Sequence, residues 1–296
     1  MNLFVFGLGY SARHFIRRHR ARLGEVAGTT TSPEAAAALK GEGVRALLFD
    51  GETADPAIAA ALAGAELLIA SIPPDGRGDP ALRSFEEAIT AAPRLSWIGY
   101  LSTVGVYGDH GGRWVDETTP PAPANDRSRD RAAAEEAWLG LGVRSGKAVQ
   151  VFRLAGIYGP GRNALAQLAA GTARCIVKPG QVFNRIHVDD IAAVLTASVE
   201  RPNPGRIYNL ADDQPAPPQD VVAYAARLAG VVPPPEVAFE EARLSGLAAS
   251  FYAECKRVSN RRIKQELGPH LSYPTYREGL RALREAGEGP SSGQAA

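Results

Sequence analysis

Residues Gly7-Leu8-Gly9-Tyr10-Ser11-Ala12 form a G-x-G-x-x-A run between the apolar Leu3 to Phe6 and an amphipathic stretch. Strand, glycine turn and helix in that order make an anion cradle. The first glycine permits a tight turn, the second lets the main chain approach a pyrophosphate, and the small Ala12 lets the helix pack close to a sheet. Amides at the helix start and the positive end of its dipole then favour a bound diphosphate. The plain alternative is an ordinary glycine turn. About twenty residues further on, a carboxylate would bind ribose hydroxyls. The sequence there reads Gly28-Thr29-Thr30-Thr31-Ser32 and carries no acid; Glu25 comes too early and Glu34 belongs to the next helix. Without that acid a 2′-phosphate is not repelled, and hydroxyls with backbone amides can bond to one. NADP(H) is therefore the favoured cofactor and NAD(H) the alternative. Arg13 is a speculative partner for the extra phosphate, and a threonine-rich strand end without a cofactor role explains the segment equally well.

A sheet must position these groups. Short runs rich in β-branched and aromatic residues alternate with alanine-rich amphipathic stretches, the pattern of repeated strand–helix–strand units. The patterning predicts strands at Asn2 to Phe6, Glu25 to Thr29, Arg45 to Phe49, Leu67 to Ser71, Trp97 to Ser102, Ala148 to Leu154 and Gly205 to Leu210. Helices are expected at Ala12 to Arg22, Pro33 to Gly41, Pro56 to Leu62, Leu82 to Ala92, Asp130 to Gly140 and Val188 to Glu200. Runs that are apolar nearly throughout, such as Leu67-Leu68-Ile69-Ala70, suit strands covered on both faces. The expected fold class is α/β, a doubly wound parallel sheet of about seven strands in the order 3-2-1-4-5-6-7. Beyond Gly159 proline clusters loosen the pattern without ending it. The expected organisation is a dinucleotide-binding core over 1–160, remaining core elements with an interleaved C-terminal substrate lobe over 161–285, and a disordered tail over 286–296.

Composition narrows the partners. Lys and Arg number 33 against 32 Asp and Glu, a net charge of +1, so no charge excess points to nucleic acid or an anionic membrane. The chain is 45% hydrophobic and 22% charged, which argues against wholesale disorder. Two cysteines, Cys175 and Cys255, are too few for a cysteine-rich zinc site or a disulfide scaffold. No apolar run reaches the ~18 residues of a membrane helix, and the opening does not read as a secretory signal, so a cytoplasmic setting is expected. No H-E-x-x-H occurs and no histidine pair has ligand spacing, so no metal is expected. A G-x-S-x-G nucleophile elbow is also absent.

Further segments extend the pattern. Asp50-Gly51 follows the third strand and Ser71-Ile72-Pro73 the fourth, while Leu101-Ser102-Thr103-Val104-Gly105-Val106-Tyr107-Gly108 covers the end of the fifth. Arg153-Leu154-Ala155-Gly156-Ile157-Tyr158-Gly159-Pro160-Gly161 comes with the sixth, then Ile186-His187-Val188-Asp189-Asp190-Ile191. In order and spacing these segments resemble the extended short-chain dehydrogenases/reductases, the NAD-dependent epimerase/dehydratase family, over nearly the whole chain to about Leu283. The resemblance implies a Rossmann-type core. It implies dinucleotide contacts from Gly7 to Ala12, Thr29, Thr30, Thr31, Asp50, Gly51, Ser71, Ile72, Pro73, Leu101 and Ser102. It also implies that Thr103 bonds the substrate oxygen.

The family's Tyr-x-x-x-Lys is missing. With the register set by Arg131-Ala132-Ala133-Ala134-Glu135, Arg127 stands at the tyrosine position and Arg131 at the lysine position. That tyrosine works as an acid/base because a neighbouring cation lowers its pKa towards neutrality. An arginine stays protonated and cannot take the role, although Arg131 keeps a charge for ribose or phosphate. The Asp-Glu that resembling sugar 4,6-dehydratases carry after the threonine is Val104-Gly105 here, which disfavours that elimination; an ordinary 4-epimerase, which needs the tyrosine, is disfavoured too.

Other groups have a plain reading beside the functional one. Tyr107 and Tyr158 lie at the ligand-binding edge of such a sheet, as proton carriers or as packing rings. Asp126 reads as a base or a helix cap, and His110 as catalytic or as an exposed loop residue. His187 reads as structural, and His14 and His19 as solvated members of a basic helix. Arg162 and Arg185 are candidate substrate ligands through paired donors, or surface arginines. Arg257 to Lys264 resembles the family's late helix, or is a solvated basic one. Two functions stay open. One is an atypical oxidoreductase or epimerase-like enzyme on an anionic small molecule, including nucleotide sugars. Thr103 would polarise the substrate, and water, Tyr107 or Tyr158 would supply the proton. The other is a cofactor-binding sensor or regulatory protein without turnover. The resemblance also carries the expectation of a homodimer.

Overall fold

The computed structural model describes residues 1–268 and 270–290. Its main sheet has seven strands: β1 Leu3–Phe6, β2 Val26–Thr30, β3 Arg45–Leu48, β4 Leu67–Ala70, β5 Trp97–Thr103, β6 Ala148–Leu154 and β7 Ile207–Leu210. Their order is β3-β2-β1-β4-β5-β6-β7, as the sequence patterning predicts. The four pairs from β3 through β2, β1 and β4 to β5 are parallel. From β1 the chain winds outward to β3 and then returns to β4 on the other side. That reversal sets the switch point of the sheet between β1 and β4, and sheets of this type bind ligands at the carboxyl ends of such strands.

Alternation along the strands buries both faces. Phe4 and Phe6 of β1 pair with Leu68 and Ala70 and join a core with Phe85, Trp138 and Leu141. Leu3 and Val5 point to the opposite face and are equally buried. Phe15 and Val199 border the same small cavity as Leu67, which covers that face with the first helix and with Val188–Glu200.

The helices begin where polar caps and prolines dictate. Helix α2, Pro33–Gly41, is capped by Ser32; α3, Pro56–Gly64, by Asp55; and α4, Pro80–Ala91, by Asp79, each with proline at the first helical position. Helix α5, Asp126–Ser145, runs from the cap Asn125 to a left-handed Gly146. It therefore starts earlier than the sequence predicts, which puts Arg127 and Ser128 in its first turn. Helix α1, Tyr10–His19, differs: its N-cap is Gly9, and no side chain caps it.

The chain divides into two compact units, Met1–Val106 with Pro123–Arg153 and Ile191–Tyr208, and Tyr107–Ala122 with Leu154–Asp190 and Asn209–Ala296. In the second unit, helices Ala164–Ala169, Pro218–Ala229 and Tyr276–Glu285 share a core that includes Leu165, Tyr224 and Leu280. Three short parallel pairs complete it: Gly156–Tyr158 with Arg185–His187, Cys175–Val177 with Glu236–Ala238, and Trp114–Val115 with Arg257–Val258. The expected helix over Arg257 to Lys264 is corrected accordingly: its first two residues are strand, and helical structure begins at Arg261.

The start of the expected tail is held in place. Glu288 accepts the Gly161 amide at 2.9 Å and Asn163 Nδ2 at 2.5 Å, and Arg284 reaches the carbonyls of Glu288 and Pro290. Its remainder, 291–296, lies outside the described residues. Among the described residues no helix is long and apolar enough to cross a membrane.

Candidate functional site

The glycine loop is braced from two sides. Gly7 has φ +88°, and a β-carbon there would lie 2.9 Å from Ser71 Oγ. The Ser71 hydroxyl lies 2.7 Å from the Gly7 carbonyl and 3.1 Å from that of Phe6, while Gly7 N–H donates to Thr29 Oγ1 at 2.9 Å. Leu8 N–H bonds to the Thr29 carbonyl at 2.8 Å. Thr29 and Ser71 thus use their hydroxyls to shape the loop. Gly28, missing from the expected contacts, is required here because a β-carbon would sit 2.6 Å from the Val5 carbonyl. The signal was a glycine inside a strand, which marks close backbone approach. Ser11 and Ala12 are buried in the first turn of α1, and Tyr10 is half-buried. Gly9 is exposed at φ −83°, with nothing within 4 Å of the place a β-carbon would take.

At the end of β2, Thr30 Oγ1 accepts from Ser32 N–H, and Ser32 both caps α2 and donates to Glu34. Thr31 is exposed. Arg13 pairs with Glu42 at 2.8 Å, so its charge is already matched. After β3, the Asp50 carboxylate accepts the amides of Thr53 and Glu52, which hold it below the usual carboxylate range. Gly51, at φ +95°, offers its carbonyl to Arg83. Ile72 is half-buried and Pro73 exposed after β4.

The end of β5 meets the first turns of α5. Leu101 is buried, and its carbonyl accepts from Arg131 Nη1 at 2.9 Å; the same nitrogen lies 3.3 Å from the Tyr100 hydroxyl. The Ser102 hydroxyl donates inward to Glu135 at 2.5 Å, and Arg153 clasps that carboxylate through Nε and Nη2. Arg153 and Glu135 are each about 3% exposed, an internal pair that fixes the strand end. The Ser102 hydroxyl is therefore a brace inside the fold. Thr103 is half-buried and its Oγ1 accepts from Gly105 N–H at 3.1 Å. Arg127 is exposed. Asp126 is not the cap: Asn125 is, and Asp126 pairs with Arg129 on the surface. Ser128, which the sequence reading passed over, is 7% exposed and lies against Gly105. Its signal was a hydroxyl one place beyond the missing tyrosine.

The remaining candidates belong to the second unit. Tyr107 is fully buried and its hydroxyl donates to Asn209 Oδ1 at 2.8 Å. Tyr158 reaches the Thr275 carbonyl, and burial pushes its phenol well above the ordinary range. Neither phenol is placed as an open proton carrier. His110 Nε2 lies 3.0 Å from the Tyr107 carbonyl, and His187 packs against Tyr158 and Tyr273. Arg162 is exposed in the Gly159–Arg162 turn. Arg185 gives Nη1 to the carbonyls of Phe183 and Ala216, and burial lowers its pKa. Asp212, absent from the sequence reading, accepts Gln214 N–H on Oδ1, while its buried Oδ2 has no partner. Burial pushes this carboxyl up to about 7. Among the described residues no group of three or more His, Cys, Asp or Glu is placed to hold a metal ion.

The sheet order, the glycine loop and the Thr103 strand end define a Rossmann-type dinucleotide fold of the extended short-chain type. The chain belongs to the NAD-dependent epimerase/dehydratase family. No family model matches it. It is similar to protein YeeZ of Escherichia coli strain K12, 31% identical over 281 residues that span 91% of this chain and 95% of that one. A functionally unknown conserved protein from Silicibacter pomeroyi DSS is 48% identical over 96% of this chain and 98% of that chain, with a TM-score of 0.87. The dTDP-glucose 4,6-dehydratase of Bacillus anthracis, solved with NAD, shares 18% identity over 96% of each chain at a TM-score of 0.76, a likeness of fold.

Proposed function

We propose that the chain binds a pyridine dinucleotide at the carboxyl ends of β1 to β4 and acts as an oxidoreductase or epimerase-like enzyme on an anionic small molecule, a nucleotide sugar being one such. The observation that carries this is Gly9: an exposed main-chain cap at the start of α1, with open space where any side chain would stand and no side-chain cap in competition. Such a helix start suits a diphosphate. NADP(H) is favoured over NAD(H), because the end of β2 itself carries Thr30 and Thr31 and no carboxylate, the nearest one, Glu34, lying in the first turn of α2 and accepting from Ser32. Arg13, already paired with Glu42, adds nothing to that preference. A bound nicotinamide would give or accept the hydride. The Thr103 hydroxyl, whose oxygen already accepts from Gly105, has its proton left to donate to a substrate oxygen. Arg131, anchored on the Leu101 carbonyl, supplies positive charge there, and the proton comes from water.

The second reading, a dinucleotide-binding sensor without turnover, is favoured by the buried and committed phenols of Tyr107 and Tyr158. Calorimetric titration with NADPH and NADH tests the binding. Absence of heat with both, in folded protein, refutes it. If NADPH binds, its oxidation against a carbonyl panel that includes nucleoside-diphosphate sugars separates enzyme from sensor.

A further inference from the structure

The end of β5 and the first turns of α5 gather donors without a free acceptor. Ser128 is 93% buried, its amide is taken by Asn125, and its hydroxyl has no hydrogen-bond partner among the described residues. The oxygen is nevertheless not sealed from solvent. It lies 3.2 Å from the point where a Gly105 β-carbon would stand, and Thr103 Oγ1 lies 3.4 Å from the same point. Two hydroxyls therefore flank one small space that glycine leaves open. The Thr103 oxygen accepts from Gly105 N–H, so its proton turns away from the backbone. Arg131, one turn along the helix from Ser128, uses Nη1 on Leu101 and Tyr100 and lies over the Tyr100 ring with its charge acting on Asp79, while Nε and Nη2 make no hydrogen bond among the described residues.

The carboxylates nearby are already committed. Asp126 pairs with Arg129, Glu135 with Arg153 and Ser102, and Asp79 with Trp138 and the α4 amides. A buried hydroxyl is normally hydrogen-bonded. Donors gathered in this way need an acceptor from outside, and hydrogen bonds to an ionised acceptor are the strong ones.

We propose that Thr103 and Ser128 form a two-hydroxyl clamp, backed by Arg131, for a carboxylate of the ligand. Ser128 thereby takes over the contact, though not the proton transfer, of the missing tyrosine. The proposal deepens the reading above by naming the substrate class, and rests on it for the identity of the site.

The test titrates oxalate, and its neutral isostere oxamide, into the full chain by calorimetry, with and without saturating NADPH. Oxalate binds and oxamide binds at least about tenfold more weakly. Ser128→Ala and Thr103→Val each weaken oxalate about tenfold or more, the effect of one hydrogen bond to a charged group. NADPH affinity stays at the wild-type value in both, and Thr103→Ser, which keeps the hydroxyl, restores oxalate binding. No oxalate binding in either state overturns the clamp, as does a folded Ser128→Ala variant that binds oxalate like the wild type. Inorganic phosphate binding more tightly than oxalate overturns the carboxylate assignment. Failure of NADPH alone to bind refutes the dinucleotide reading, and the titration without NADPH still decides the clamp.

Discussion

Replacing Gly9 with alanine separates the ligand cradle from the fold. Gly9 has φ −83° and ψ −171°, a conformation open to any residue, and no atom lies within 4 Å of the added methyl. As an N-cap, alanine is slightly worse than glycine, by less than about 1 kcal/mol. The methyl instead enters the space a diphosphate would use against the helix start. A β-carbon pushes an anionic oxygen out of hydrogen-bond range of the amides, and each lost bond to a charged group costs about 1.5–3 kcal/mol. Gly9→Ala should therefore lower NADPH affinity by about 10- to 100-fold, and leave the melting temperature within about 2 °C of wild type. Gly7→Ala is the internal control. Its positive φ and the Ser71 contact predict a loss of about 1–3 kcal/mol in stability. Paired thermal melts and fluorescence titrations measure both quantities. A Gly9→Ala protein that binds NADPH as tightly as wild type would refute the placement of the phosphates. One destabilised as much as Gly7→Ala would refute the claim that Gly9 is free of the fold.

Three further outcomes follow from buried groups. Asp212 has its carboxyl raised by burial from 3.8 to about 7, so the folded state holds the proton more tightly than the unfolded chain. Its stabilising contribution is complete below about pH 4 and is lost as pH rises through 7, a cost of about 4 kcal/mol at the high-pH limit. Urea unfolding of wild type and Asp212→Asn at pH 5 and pH 8 should show the variant gaining on wild type by about 2–3 kcal/mol between them, and parallel curves would contradict the burial of an unpaired carboxyl. Glu135→Ala removes the carboxylate that the buried Arg153 clasps and should cost about 3–5 kcal/mol in the same assay; a loss below about 1 kcal/mol would show that the pair does not hold the strand end. A β-carbon on Gly279 would stand 2.2 Å from the Tyr158 hydroxyl, so Gly279→Ala should cost about 1–3 kcal/mol. Adding Tyr158→Phe removes the hydroxyl but leaves Cε2 and Cζ at 2.7 and 2.8 Å from the same point, so it should recover only a minor part; full recovery would show that the ring itself is not strained.

The sheet was legible because it is written in hydrophobic pattern. Leu67-Leu68-Ile69-Ala70 reads as a strand buried on both faces, and Ile98 and Tyr100 face the same core as Phe4 and Phe6. Serine or aspartate before proline likewise marks the starts of α2, α3 and α4. The start of α5 was misjudged because Asp126 to Arg129 carry no apolar periodicity, and only the cap at Asn125 defines it. Side-chain direction was not legible. Thr29, Ser71 and Ser102 occupy positions where a ligand contact is natural, yet each hydroxyl turns to an acceptor or donor inside the fold, and sequence order does not encode that turn. Asp212 was missed because nothing local distinguishes a buried aspartate after a strand from an exposed one in a turn.

The replacement of Tyr and Lys by Arg127 and Arg131 leaves the scaffold standing for a definite reason. The groups that hold β5 to α5 are Ser102, Glu135 and Arg153 on the inside and the Arg131 bond to Leu101, and none of them carries a proton in the family reaction. Arginine at position 131 keeps the positive charge of the lysine and presents it through a planar guanidinium that bonds Leu101, so that exchange alters donor geometry rather than charge. The exchange at position 127 is different in kind: an exposed guanidinium takes the place of a titratable phenol, and the phenol beside Arg131, Tyr100, is buried with its pKa raised. What remains at the strand end is a set of hydrogen-bond donors. Such a set can hold an anionic oxygen, and under the enzyme reading proposed above the proton is drawn from water. Binding and chemistry can therefore be tested separately in this chain.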